Sequence, residues 1–488
     1  MIFPINPFNK TYKVTLVSVL VFAFIVGGCA SLKPVDIRMI KSGFNRSKNS
    51  LTTLERAVFS EEKGSKKAID SNTDPILLLE LGIAYSYQGR FEESNKTLEE
   101  VYRRYQTEEE RAKVSLSKIF LEAVESSVTE GLGDYQLGNY EKVFLHSIKT
   151  INFLMLGDPK GARVEVERAY ILQKNILEKS ENELTELKQK YENKLHSLFG
   201  RVESKSQISE STFMDKFSAD RLLEKVDLSR VEKQITQKTR SSYENAFTEV
   251  LSSLTFQLNG ESGNALPPLR RAIKITDNQF VKRIKEIKEK NTNLLSESDN
   301  FYLFVFRDFA PEKRSRSLTF GNPFTGAINH VSIAQLVPQN PKKINISLSF
   351  PDGSISPSAL TNINTLALKQ YEEELPYLVI KAMTRLATQA VKDYYLEEAL
   401  GQGGAILASI LNLATQKADI RAWTLLPGKI LFLSQRYDTE KTRLSITVEG
   451  KKISEETTIP IEDNKVTVAF ARVFDNDVKL YYHKFPRQ

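Results

Sequence analysis

Residues 74–105, DPILLLELGIAYSYQGRFEESNKTLEEVYRRY, decide how the first half of the chain is read. Leu78, Leu81, Tyr85, Phe91, Leu98 and Val101 recur at helical spacing on either side of Gly89, as in two helices joined by a tight turn. The pattern returns twice. Phe153, Gly157, Ala162, Val166 and Ala169 repeat the offsets of Tyr85, Gly89, Ser94, Leu98 and Val101, and Gly157 lies 68 residues after Gly89. Phe256, Gly260, Ala265, Leu269 and Ala272 repeat them again, 103 residues further on. Those distances are close to two and three periods of about 34 residues. Pro267 and Pro268 are expected to interrupt the second helix of the third window. Gly131 and Gly138 offer a competing register, in which 140–154 is the second helix of an earlier hairpin. Either register gives antiparallel helix pairs, stacked so that each buries what it cannot bury alone.

The first window resembles a tetratricopeptide repeat. That resemblance implies that Gly82 lets two helices approach, that Tyr85 packs between them, and that Gly89 closes the first helix. Phe153, Gly157 and Ala162, then Phe256, Gly260 and Ala265, take the equivalent packing positions. Residues 51–299 are therefore expected to form a tetratricopeptide-like helical region. Within it, 176–238 reads as an insertion projecting from the stack. Leu177, Leu184, Leu187, Tyr191 and Leu198 mark a long helix or coiled-coil hairpin among Glu and Lys.

After residue 300 the period becomes alternating. FYLFVF (301–306), INISLSF (344–350), KILFLS (429–434), RLSITVEG (443–450) and KVTVAFARVF (465–474) read as strands of a sandwich-like sheet. One long helix over roughly 362–399 is expected to kink or break at Pro376. The overall expectation is α+β: helical repeats over 51–299, then a mixed domain over 300–488. The apolar stretch 403–414, GGAILASILNLA, is too short to span a bilayer and reads as a core helix, with a membrane-dipping element as the alternative.

At the other end, Lys10 and Lys13 precede a 13-residue run, VTLVSVLVFAFIV (14–26), and then Gly27, Gly28 and Cys29. A basic segment, a short apolar one and small residues follow the order of a secretory signal. Val26-Gly27-Gly28-Cys29 resembles the lipobox of bacterial lipoproteins, which implies cleavage between Gly28 and Cys29 and lipidation of the Cys29 thiol. Residues 1–28 are then the signal peptide, and 29–50 the tether. Two or more acyl chains, at about 0.8 kcal/mol per buried methylene, make such an anchor durable. Ala30 is not the aspartate that retains lipoproteins on the inner membrane of enteric bacteria, so the outer membrane is favoured.

The 488 residues hold one cysteine and four histidines, which excludes an internal disulfide and disfavours a Cys/His zinc site. With Lys10 and Lys13 removed, 68 minus 2 basic residues against 61 acidic leave about +5. No nucleic acid is expected at that dispersed charge. No nucleophile elbow, zinc-binding helix motif or phosphate loop is present. Ser115 and Lys118 have acyl-enzyme spacing without the accompanying motifs. His146, His196, His330 and His483 lie apart, and Glu372–Glu374 read as helix-start or exposed carboxylates. No catalytic residue, metal or cofactor is expected, and the chain is read as a non-enzyme.

Leu154-Met155-Leu156-Gly157-Asp158, the stretch 419–428 (DIRAWTLLPG) and the order of repeats then sheet resemble a little-characterised family of bacterial envelope lipoproteins. The resemblance implies an interaction scaffold with envelope-protein partners, and brings no catalytic residues. The alternative is a ligand-binding or catalytic site near Asp419, Arg421 and Trp423. Against it stands a simpler arrangement, with Trp423 wedged in the core beside an Asp419–Arg421 ion pair.

Overall fold

The computed structural model describes residues 41, 49–59, 69–113, 135–203, 207–225, 238–290, 299–337, 345–350, 353–401, 418–437, 443–448, 451–452, 459–462, 464–474 and 477–487. Cys29 with the signal segment, Ser115 with Lys118, and the stretch 403–414 lie outside them. The fold is α+β.

Helix α1 (Asn49–Val58) precedes three two-helix hairpins: α2 (Pro75–Tyr87) with α3 (Phe91–Lys113), α4 (Asn139–Met155) with α5 (Pro159–Gly200), and α8 (Ala246–Leu258) with α9 (Ser262–Ile275). Each turn is made the same way. Gly89, Gly157 and Gly260 have φ of +75°, +76° and +76°, a left-handed conformation that glycine adopts without a Cβ clash. In each, the residue after the glycine donates its N–H to the carbonyl five positions earlier in the chain: Arg90 to Tyr85, Asp158 to Phe153, and Glu261 to Phe256. The glycine N–H itself bonds the next carbonyl along, at Ser86, Leu154 or Gln257, so the orphaned helix ends are satisfied identically. Asp74, Asp158 and Asn245 cap the helices that follow them.

Several expectations give way. Gly138 precedes α4, which pairs with α5, so 140–154 is the first helix of its hairpin rather than the second. Pro267 and Pro268 sit inside α9 without ending it. The carbonyls they leave unbonded belong to the first turn, where residues 262–264 are exposed. The projecting insertion is not independent, because α5 is a single 42-residue helix continuing the second hairpin. Its far end, with α6 (Glu210–Lys216) and α7 (Ala219–Leu223), packs against the C-terminal half. The Phe213 and Phe324 rings lie 5.7 Å apart, tilted against each other, and the Tyr395 hydroxyl donates to the Arg201 carbonyl at 2.6 Å.

After α10 (Gln279–Lys290) come β1 (Phe301–Phe309), the ribbon β2 (Glu312–Gly321) and β3 (Ile328–Val337), then β4 (Ile346–Phe350), β5 (Gly353–Ile355) and β6 (Ser358–Asn362). Helix α11 (Ile363–Leu400) is followed by β7 (Pro427–Gln435), β8 (Arg443–Val448), β9 (Lys451–Lys452), β10 (Ile459–Pro460), β11 (Lys465–Phe474) and β12 (Asp477–Pro486). Pro376 does not break α11. Both it and Glu372, whose carbonyl it cannot bond, are only half-buried.

The strands form a five-stranded sheet in the order β12-β11-β1-β7-β6, a smaller sheet in the order β10-β8-β4-β5 with β9 on β8, and the β2–β3 ribbon. The central pair β1 and β11 is parallel, and the other pairs of the large sheet are antiparallel. Both central strands are buried along almost their whole length, as strands covered on two faces are. Phe247 of α8 packs edge-on against Phe304 and Phe306, so the hairpins cover one face. The hydrophobic core is continuous across residue 300.

Candidate functional site

The first helices of the hairpins meet the C-terminal half along the segment 418–426, just before β7. That segment has irregular backbone, whose donors must find partners once buried. Two carboxylates supply them. Glu80, on α2 and fully buried, accepts from the Thr424 N–H at 2.7 Å, the Thr424 hydroxyl at 3.0 Å and the Leu425 N–H at 2.9 Å. Burial pushes its carboxyl up to about 7, against these hydrogen bonds and the Lys41 charge, which pull it down. Glu141, on α4, accepts from the Trp423 N–H at 3.0 Å, from the Tyr135 hydroxyl at 2.7 and 2.8 Å, and from the Gly138 N–H at 2.8 Å. Burial, with the Glu141 charge adding to it, holds the Tyr135 and Tyr140 hydroxyls well above their ordinary range. The Tyr87 hydroxyl completes the grip by donating to the Leu425 carbonyl at 2.7 Å.

Asp419, Arg421 and Trp423 are brought together here. Arg421 donates bidentately to Asp419 at 2.7 and 2.9 Å and reaches Asp74, the cap of α2, at 2.6 Å. This ion pair, with Asp74, outweighs the effect of burial and holds the Arg421 guanidinium above its usual range. Trp423 has no solvent exposure. The three residues join two parts of the chain, and the indole offers no surface to a ligand.

A second set lies between the first two hairpins. His146 Nδ1 is 2.8 Å from Glu165 Oε2, and its Nε2 is 3.2 Å from the Tyr105 hydroxyl. Lys149 donates to Glu165 Oε1 at 2.8 Å and also to Glu99, which Arg168 reaches at 3.1 Å. Burial pushes the His146 imidazole down, against the pull of the Glu165 carboxylate. Burial raises Glu165, but His146 and Lys149 outweigh it and hold the carboxyl down. The order Tyr, His, Glu is that of a proton relay. Yet His146, Lys149 and Glu165 are at most 2% exposed, and no substrate reaches them. Sequence reasoning passed over His146 because Glu165 lies 19 residues away and only helix packing joins them.

The positions picked out for repeat packing lie at contacts between elements. A Cβ on Gly82 would come within 2.6 Å of Leu98, and the Tyr85 hydroxyl donates to Glu55 at 2.9 Å. Cβ atoms on Gly89 and Gly157 would come within 2.6 Å of Tyr481 and 2.5 Å of His483, so strand β12 rests on two successive turns. Phe153 and Phe256 are half-buried, Ala162 and Ala265 fully buried, and Gly260 turns the third hairpin. Glu372–Glu374 lie well inside α11 rather than at its start. Glu373 accepts from Ser242 at 2.5 Å, and burial raises the Glu374 carboxyl.

Among the described residues no group of His, Cys, Asp and Glu is placed to hold a metal ion, and no helix is long and apolar enough to cross a membrane. No protein-family model, no curated protein and no solved structure matches the chain.

Proposed function

We propose that the chain is a lipid-anchored bacterial envelope protein, facing the periplasm from the outer membrane. In this reading its tetratricopeptide-like hairpins form an interaction scaffold for another envelope protein. The sequence Val26-Gly27-Gly28-Cys29 carries the anchor, and the three identically closed hairpins support the scaffold. The first helices α2, α4 and α8 are covered by the chain's own C-terminal half, so contacts with a partner fall to the second helices. On α5, Val164, Tyr170 and Ile171 are 46%, 53% and 57% exposed.

Two experiments test this reading. Metabolic palmitate labelling should mark the wild-type chain and not Cys29→Ala; label retained by Cys29→Ala refutes the anchor. Crosslinking of the full anchored chain in cells should give a defined heteromeric product that Val164→Glu with Ile171→Glu abolishes. If only the chain itself is recovered, the scaffold reading fails.

A further inference from the structure

Two long stretches of the sequence, 317–341 and 401–416, carry no Asp, Glu, Lys or Arg, in a chain that is 26% charged. The first makes most of the β2–β3 ribbon, and its turn is rigidly closed. The Asn322 N–H donates to the Ala327 carbonyl at 2.7 Å, and the Gly326 N–H to the Asn322 carbonyl at 2.9 Å. Asn322 Nδ2 donates to the Ala390 carbonyl at 3.2 Å, which ties the turn to the last part of α11. The Phe324 ring lies 5.5 Å from that of Tyr394 on the same helix. From Asp393 to Leu400, α11 runs about 10 Å further, and the second uncharged stretch begins at the next residue. The turn of the ribbon and the start of that stretch therefore share one end of the molecule.

That end is apolar where it meets water. Ile328 is 58% exposed, and Tyr395 and Leu400 are 41% and 44% exposed. Pro323 and Phe324 in the turn are half-buried. The cations of the ribbon stand at its other end, where Lys313, Arg314 and Arg316 open β2 beside Val337, the last residue of β3. Close to the turn, Lys225 donates to the Thr319 carbonyl at 3.0 Å and lies 4.0 Å from the centre of the Phe320 ring. Glu397 and Glu398 share the last turn of α11 with Leu400, so this end offers apolar contact rather than attraction to anions. Aliphatic and tyrosine side chains on an uncharged, preordered tip are suited to the boundary between lipid headgroups and acyl chains.

We propose that this end, the turn 322–328 with Tyr395 and Leu400, docks on a lipid surface. The chain's own N-terminus brings one within range. Lys41 is held to Glu312 at 2.9 Å, at the base of the ribbon. The twelve residues from Cys29 to Lys41 reach about 40 Å when extended, and the nine steps from Glu312 to Gly321 cover about 30 Å. An acylated Cys29 and the tip of the ribbon can therefore meet the same bilayer. That reach rests on the anchor read at Cys29, whereas the apolar surface does not. Contact lies in the plane of the interface rather than across the membrane, since a span needs about 20 apolar residues.

The test uses the full chain on phosphatidylcholine vesicles. Cys29 is the only cysteine, so Ile328→Cys and Leu400→Cys each add one thiol for an environment-sensitive fluorophore. Lys274→Cys, at an exposed position on α9, is the control. The wild-type chain is the blank. Any label it takes reports a free Cys29, which separates failure of the anchor from failure of the surface; the same reading then applies to chain added from solution. Lipids carrying a quencher in their acyl chains should remove most of the fluorescence at positions 328 and 400, at high salt as at low, and little at 274. Two positions are read, so the proposal remains testable if one variant fails to fold. Quenching no greater at 328 and 400 than at 274 overturns the proposal. Crosslinking of position 328 between copies without quenching also overturns it, and assigns the surface to a second copy of the chain.

Discussion

The two helices of each hairpin bury their surfaces differently. Helix α2, PILLLELGIAYSY, is buried at almost every position, and α4 and α8 nearly so, whereas α9 buries only Ala265, Pro268, Leu269 and Ala272. Stacked hairpins alone leave the first helices exposed on one side. A helix that is apolar all round must be covered all round, and here the C-terminal sheet and the segment 418–426 supply the missing cover. The lone charge within α2, Glu80, is spent on the backbone of that segment. The inner helices therefore belong to the core shared with the sheet, while the outer helices remain a surface.

The largest effect that would break this contrast is expected at Glu141. Glu141→Ala leaves buried donors on Trp423, Tyr135 and Gly138 without an acceptor and should cost about 4 kcal/mol in urea unfolding. An equivalent change at an outer-helix carboxylate, Glu167→Ala, should cost less than about 0.5 kcal/mol.

Glu80 gives a pH dependence of known sign. Its carboxyl binds a proton more tightly in the folded chain, at about 7, than at its ordinary value of 4.5. The stabilisation linked to that proton is complete below about pH 4.5 and disappears as pH rises through about 7. Between pH 5 and 9 the wild type should lose ~3 kcal/mol from this group. Glu80→Gln should be less stable at pH 5 but lack that slope. Parallel curves for the two proteins would refute the assignment.

The smallest predicted effect concerns the turns. Gly157→Ala should cost about 2 kcal/mol, roughly half from the left-handed backbone and the rest from the His483 ring. Combining it with His483→Ala should recover only the second part. Full recovery would show that the backbone conformation carries no strain, and none would show that β12 does not rest on this turn.

Much of the fold is written in the sequence. Gly89, Gly157 and Gly260 mark their turns because no other residue takes that φ freely, and β1, β7 and β11 stand out as dense apolar runs. Strand β12 was hidden by its mixture of Lys479, His483 and Lys484 with tyrosines, which reads as surface until Tyr481 and His483 are seen on the hairpin turns. The ribbon β2–β3 was hidden by Lys313, Arg314 and Arg316 along its outer strand. The grip on 418–426 was only half legible. Asp419, Arg421 and Trp423 drew notice as a group, but Glu80 and Glu141, more than 280 residues earlier, are isolated carboxylates in apolar helices until the chain closes on itself. A charged residue in a helix otherwise apolar all round was the available signal.

Native-state hydrogen exchange on the full chain tests most directly whether hairpins and sheet are one body. The amides of Trp423, Thr424 and Leu425 should exchange as slowly as the core of α2 and with the same denaturant dependence, since opening one exposes the other. Fast exchange at 423–425 beside slow exchange in α2 would contradict that claim.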